Sequence, residues 1–466
     1  MMMAPVDTRF QPLHTYYPPI TMLLVNTETA YNKALDYLYG FVDYSLKHAS
    51  ELAKADFDLD RMRILMAALG DPQDAYPIIH VAGTKGKGSV AALCASALYA
   101  AGYQVGLYTS PHLQDYAERI QVNGLPIPHA DLPALVEEIK PHVARVPFIT
   151  TFELTTALGF LYFARKKVNA AVIEVGLGGR LDATNIVTPC VSVITLLSYD
   201  HMVVLGNTLA AIAGEKAGII KEGRPVVCAP QKEEAYLVVQ KVADERAAPL
   251  TLVGRDVYYA SGKSSLDGQT LEVWKKNGKQ VNLTIPLLGI HQVENAAVAC
   301  AALWTGNQER LAINNTQIRK GFANVKWPGR FEVLRREPPL VIDSAHNREA
   351  AARLLQALDI YFPERSVILL FATLEDKDAA GMLTELKPRL RYMIATRPDH
   401  PRACELEKLV DLAHQNGIPV EGIIPVAGAL KRALDLVGDD DLVLSAGSVA
   451  FAGEVRTAWE DLLRSR

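Results

Sequence analysis

Apolar positions along the chain follow two rhythms that alternate. Short runs with few polar interruptions, Pro77-Ile-Ile-His-Val81, Gln104-Val-Gly-Leu-Tyr108, Ala170-Ala-Val-Ile-Glu-Val175, Cys190-Val-Ser-Val-Ile-Thr195 and Pro225-Val-Val-Cys228, predict strands buried on both faces. Between them apolar residues recur at helical spacing: Tyr31, Ala34, Leu35, Leu38 and Tyr39; Leu59, Met62, Leu65, Met66 and Leu69; the Ala/Leu-rich Val90–Ala101; Asp131–His142; residues 154–167; a stretch from Thr208; and His291–Trp304. Strands alternating with helices predict an α/β fold on a parallel sheet. Residues 249–289 break the rhythm. Leu271-Glu-Val-Trp274 and Val281-Asn-Leu-Thr-Ile285, with Asn277-Gly278 between them, predict a small antiparallel insert. After Lys326-Trp-Pro-Gly-Arg330 the pattern restarts in Leu340–Asp343, Ser366–Phe371, Tyr392–Ala395 and Leu442–Ser445, a second, smaller α/β unit. The expected organisation is a loosely ordered, proline-bearing extension over 1–28, a nucleotide-type unit over 29–325, a hinge over 326–330 and a C-terminal unit over 331–466.

Composition narrows the partners. Over 466 residues, 49% are hydrophobic, 21% are charged and the net charge is −4, which lends no support to a nucleic-acid or membrane-surface partner. No apolar run approaches the roughly 18 residues needed to span a bilayer, and the N-terminus has no signal-peptide pattern. The scattered cysteines, Cys94, Cys190, Cys228, Cys300 and Cys404, read as small core residues of a reducing cytoplasm.

Chemistry concentrates in His80-Val-Ala-Gly-Thr-Lys-Gly-Lys-Gly-Ser89, a strand-to-helix turn. Gly83, Gly86 and Gly88 let backbone N–H groups converge on an anion at a helix N-terminus, Lys87 adds a charge, and the Ser89 hydroxyl can ligate Mg²⁺. The spacing is shorter than the usual phosphate-loop pattern, so a merely tight turn stands as the alternative. Glu174, a carboxylate inside an apolar strand, calls for a metal or an ion pair. His201 follows a strand end, where a satisfied loop histidine is the commoner outcome. From spacing alone Lys216 reads as a cation at a helix C-terminus. Asp343 and His346 sit at a strand's carboxyl end, where capping by Ser344 or Asn347 competes with ligand contact. Arg330 is either a surface charge or a phosphate contact.

Taken in order, these blocks resemble folylpolyglutamate synthase and dihydrofolate synthase of the Mur ligase superfamily. The resemblance runs from about residue 30 to the end and rests on His80–Ser89, Thr109-Ser-Pro-His-Leu113, Glu174–Asn185, Asp200-His201, Glu215–Lys221, His291–Asn295, Pro328-Gly-Arg330 and Asp343–Asn347. It implies an ATP- and Mg²⁺-dependent amide ligase with a P-loop domain and a Rossmann-like C-terminal domain. On this likeness, L-glutamate joins the carboxylate of dihydropteroate, of a folate, or of both through an acyl phosphate, and Gly179-Arg-Leu-Asp182 favours both. Carried over by position, Gly83, Thr84, Lys85, Gly86, Lys87, Gly88 and Ser89 hold the phosphates; Ser89 and Glu174 bind one Mg²⁺; Glu174, His201 and a carbamylated Lys216 hold a second. Lys87, Glu174, His201 and Lys216 form the catalytic set. Asn295, Arg330, Asp343 and His346 contact ATP, while Phe152 and Asp182 cradle the pterin. A cytoplasmic monomer is expected. Lys85 stands where the family usually has asparagine, placing an extra charge beside the phosphates. The competing readings are a Mur-type ligase for another substrate, for which the chain lacks room for an N-terminal UDP-binding domain, and a nucleotide-controlled ATPase or binding protein without ligase chemistry.

Overall fold

The computed structural model describes residues 20–43 and 57–465. Its main sheet has eight strands in the order β4-β3-β2-β5-β1-β6-β7-β8. These are β1 (Ile78–Ala82), β2 (Val105–Tyr108), β3 (Ile120–Val122), β4 (Leu125–Pro126), β5 (Ala170–Glu174), β6 (Val191–Ile194), β7 (Val226–Cys228) and β8 (Leu250–Leu252). From β2 across to β8 neighbours run parallel; β3 and β4 add an antiparallel edge. The central strands β1 and β5 are buried at every residue, as their nearly unbroken apolar runs require. Helix Lys87–Ala100 packs so closely on helix Asn315–Ala323 that a Cβ on Gly321 would stand 2.3 Å from Ala97 Cα. The chain thus stays with the first lobe as far as Ala323.

A three-stranded antiparallel sheet, β9 (Val257–Ser265), β10 (Gly268–Lys275) and β11 (Val281–Ile285), follows. The second lobe is a six-stranded sheet, order β12-β13-β17-β14-β15-β16, from β12 (Glu332–Arg336), β13 (Pro339–Ile342), β14 (Ser366–Phe371), β15 (Leu390–Ala395), β16 (Val420–Gly422) and β17 (Asp441–Ala446). Only the edge strand β12 is antiparallel. All five cysteines are free and buried.

Several expectations change. Part of the extension expected over 1–28 lies outside the described residues, and from Ile20 the chain is already helix, Ile20–Tyr39. Residues 250–252 belong to the main sheet, not to the insert. The helix expected from residue 154 starts at Thr151, where Thr150 and Glu153 close a reciprocal capping box.

Candidate active site

Carboxyl ends of parallel strands collect polar groups, and here β1, β2, β5 and β6 end at one rim facing the second lobe. The turn after β1 is set by two glycines. Gly83 has φ +149, and a Cβ there would lie 1.8 Å from Thr195 Oγ1; Gly86, with φ +90, caps helix Lys87–Ala100, and its Cβ would lie 2.2 Å from Asn295 Oδ1. Thr84 N and Lys85 N donate to Leu196 O at 3.0 and 3.1 Å. Those two amides therefore fasten the loop to the end of β6. The N–H groups of the helix's first turn, which no helix satisfies internally, are the ones free for an anion.

Glu174 ends β5 at 5% exposure, 4.0 Å from Lys87 Nζ, and accepts from Ser110 N at 3.3 Å. Burial pushes its carboxyl above the usual range, with Lys87 opposing. Lys216 does lie in the last turn of helix Leu209–Ala217, but it is buried and faces the phosphate loop: its Nζ donates to Gly83 O at 2.9 Å. Burial, then the charge of Lys87, pushes it down to about 7. His201 follows at φ +50 on the loop after β6. No hydrogen bond or ion pair joins Glu174, His201 and Lys216, and among the described residues no group of three or more His, Cys, Asp or Glu could hold a metal. Any ion here must draw on the Ser89 hydroxyl, on a modified Lys216 or on substrate oxygens.

Asp200, beside His201, links the lobes. Lys85 Nζ lies 3.0 Å from its Oδ2 and 3.5 Å from His346 Nε2 of the second lobe. Burial raises the Asp200 carboxyl, but His346 and Lys85 outweigh it and hold the group far below the usual range. His346 places Nδ1 3.0 Å from Ser344 O and Nε2 3.8 Å from Asp200 Oδ2, so the ring spans the second lobe's loop and the Asp200 carboxylate. Asp343 spends its oxygens on Phe331 N and Ala345 N, both at 2.7 Å, shaping the loop that presents Arg330 and His346.

At the other end, the half-buried Phe152 ring lies against Gly176, where a Cβ would come within 2.4 Å of it. Asp182 is buried; its Oδ2 accepts from Leu177 N at 2.9 Å and its Oδ1 from Thr184 N at 3.0 Å. Every site residue expected from the sequence lines a single cavity of about 820 Å³ between the lobes. Sequence reasoning missed Arg61, whose Nε lies 3.0 Å from Glu153 Oε1 in a buried pair, and the second lobe's Lys377 and Arg402, which line the same cavity. Arg61 sits in a helical apolar pattern with no local cue to its partner; Lys377 and Arg402 follow strand ends, which was the one available signal.

Comparison with known proteins agrees with this architecture. The family profile of the Mur ligase middle domain matches residues 81–303, and that of the Mur ligase glutamate ligase domain matches 329–449. The dihydrofolate synthase/folylpolyglutamate synthase of Bacillus subtilis is 36% identical, covering 92% of this chain and 99% of its own length. Among solved structures, Mycobacterium tuberculosis folylpolyglutamate synthase complexed with ADP superposes with a TM-score of 0.85 at 33% identity, over 92% of this chain and 98% of that one. E. coli FolC in complex with DHPP and ADP gives 0.83 at 31%, over 93% and 98%. The chain belongs to the dihydrofolate synthase/folylpolyglutamate synthase family of Mur ligases.

Proposed function

We propose that the chain joins L-glutamate to the carboxylate of dihydropteroate, of a reduced folate, or of both, with cleavage of ATP to ADP and phosphate. The observation that carries this reading is the meeting of Lys87, Glu174, Lys216 and the second lobe's Arg330 and His346 on one cavity. The substrate carboxylate attacks the γ-phosphorus and ADP leaves; the α-amine of glutamate then attacks the acyl carbon of the resulting acyl phosphate and expels inorganic phosphate. Lys87 and the first-turn amides neutralise the phosphates, and Asn295, Arg330, Asp343 and His346 hold the nucleotide from across the cleft. Phe152 and Asp182 receive the pterin. Ser89 and Glu174 suit one Mg²⁺, and Glu174, His201 and Lys216 a second; such ions, when bound, screen phosphate charge and polarise the γ-phosphoryl group.

A buried amine held near 7 is partly neutral at physiological pH, so Lys216 can add to carbon dioxide, release one proton and become an anionic carbamate. That converts a repelling cation into an oxygen donor. An acyl phosphate hydrolyses readily, which is why a cleft between two lobes suits the reaction. Among the described residues no helix is long and apolar enough to cross a membrane; a cytoplasmic monomer acting on small molecules, without nucleic acid or membrane, completes the reading.

Purified protein with ATP, Mg²⁺ and glutamate, offered dihydropteroate or tetrahydrofolate in turn, should give products one glutamyl unit heavier by mass spectrometry. Glu174→Ala should abolish them. Normal turnover in that variant, or ATP hydrolysis indifferent to glutamate, would overturn the assignment.

A further inference from the structure

A buried imidazole outside the phosphate loop has no part in the mechanism above. His80 lies in the middle of β1, fully enclosed, with Ile173 of β5 and Ser192 of β6 beside it in register. Its Nε2 is 2.8 Å from Thr184 Oγ1, and that hydroxyl is 2.5 Å from Asp182 Oδ1. Asp182 already accepts N–H groups on both oxygens, as a carboxylate does. The Thr184 proton therefore points to Asp182, the Thr184 oxygen is left to accept, and the imidazole carries its proton on Nε2. Nδ1 is then a bare acceptor, and it has no hydrogen-bond partner among the described residues. Burial, helped by Lys221, pushes the imidazole down to about 3, so it stays neutral. An apolar side chain would fill this space without an unpaired ring nitrogen; what the histidine adds is one donor aimed at Thr184.

We infer that His80 is a positioning residue for the acid-substrate end of the cleft, fixing the Asp182 carboxylate through the Thr184 hydroxyl. The relay is enclosed throughout, since Thr184 is as buried as His80 and only Asp182 reaches the cavity wall. Asp182 Oδ2 meanwhile holds Leu177 N, so a change in its rotamer would also shift the Gly176–Gly179 backbone on which Phe152 rests. The inference deepens the proposed function and rests on its placing of the pterin at Asp182.

The test is dihydropteroate binding by pterin fluorescence, without nucleotide or metal, beside ATP affinity, steady-state constants and thermal melting. His80→Leu should weaken dihydropteroate binding about tenfold, as loss of an orienting hydrogen bond would, and leave ATP affinity within about twofold. His80→Gln, which restores an N–H near the Nε2 position, should recover binding to within about threefold. Thr184→Val should reproduce the loss, and combining it with His80→Leu should add nothing. Parallel loss of pterin and ATP binding, or a glutamine variant as weak as the leucine one, would mean that His80 only supports the fold, and the inference fails. Asp182→Asn separates the two layers: if it leaves pterin binding intact, the placing of the pterin is wrong and the inference falls with it. If it weakens binding while His80→Leu does not, the inference alone is lost.

Discussion

Gly86 and Gly102 have nearly the same backbone angle, φ +90 and +91, yet alanine should affect them differently. At Gly102 nothing lies within 4 Å of an added Cβ. The expected penalty there is the left-handed conformation itself, about 1–2 kcal/mol of stability by urea denaturation, with turnover unchanged. At Gly86 the Cβ would stand 2.2 Å from Asn295 Oδ1 at the mouth of the phosphate loop. The loop or Asn295 must move, and displacement of about an ångström in a positioning element lowers kcat/KM for ATP by about a hundredfold. Equal kinetics in the two variants would show that the loop's shape is not what matters. Single side chains also mark where sequence reasoning stopped. Helical spacing placed Lys216 near a helix end but could not say what that end faces. Only the fold shows its ammonium under Gly83, in surroundings that strip part of its charge.

Helix Ile20–Tyr39 is fastened to the first lobe partly by titratable groups, which gives it a pH dependence of its own. His129 lies 2.9 Å from both Glu28 Oε1 and Asp115 Oδ2 and stacks on Tyr31 at 3.7 Å, while Tyr31 donates to Asp115. Burial lowers the imidazole's pKa, but the hydrogen bonds to Glu28 and Asp115 outweigh it and raise it above its ordinary 6.5. A raised folded-state value means that the protonated histidine stabilises the docked helix fully below pH 6.5, and that this contribution fades as pH climbs through the raised value. Hydrogen exchange in Ile20–Tyr39 should therefore quicken, relative to the β1 amides, as pH rises above 6.5 through the raised value, and His129→Gln should flatten the difference; a helix indifferent to pH in the native protein would contradict this. Among the elements, those with one physical answer were legible. β1, β5 and β6 are covered on both faces, so their apolar runs admit little else, and Asn277-Gly278 announced a hairpin. β9 was missed because Val257–Ser265 becomes solvent-exposed along most of its length and carries no apolar alternation. The first turn of the helix at Thr151 falls outside the expected 154–167 because apolar spacing does not reveal the Thr150–Glu153 capping box that starts it.

Contacts between lobes are the part of the molecule least legible from sequence, because Lys85 meets His346, 261 positions away, and no local pattern encodes such a pairing. They also decide how the cleft closes. On one side Lys85 bridges Asp200 and His346; on another, helix Val449–Arg464 lies against residues 113–114, with Arg456 Nη1 2.6 Å from Gln114 Oε1 and Gln114 Nε2 2.8 Å from Thr457 Oγ1. Gly453 makes this second contact possible, since a Cβ there would fall 1.8 Å from Leu113 O. A valine cannot be absorbed by a side-chain shift when the obstacle is backbone, so Gly453→Val must lift the helix and part the lobes. Its radius of gyration by X-ray scattering should exceed that of the native protein. The phosphate loop belongs to the first lobe, so ATP binding measured at equilibrium should change less than kcat, which should fall about tenfold or more. Water admitted to a parted cleft would intercept the acyl phosphate, so the variant should also release ADP without forming an equal amount of amide. If Gly453→Val kept its compactness and its coupling of ADP release to product, the helix would have found another seat, and closure would have to be controlled from the Lys85 side.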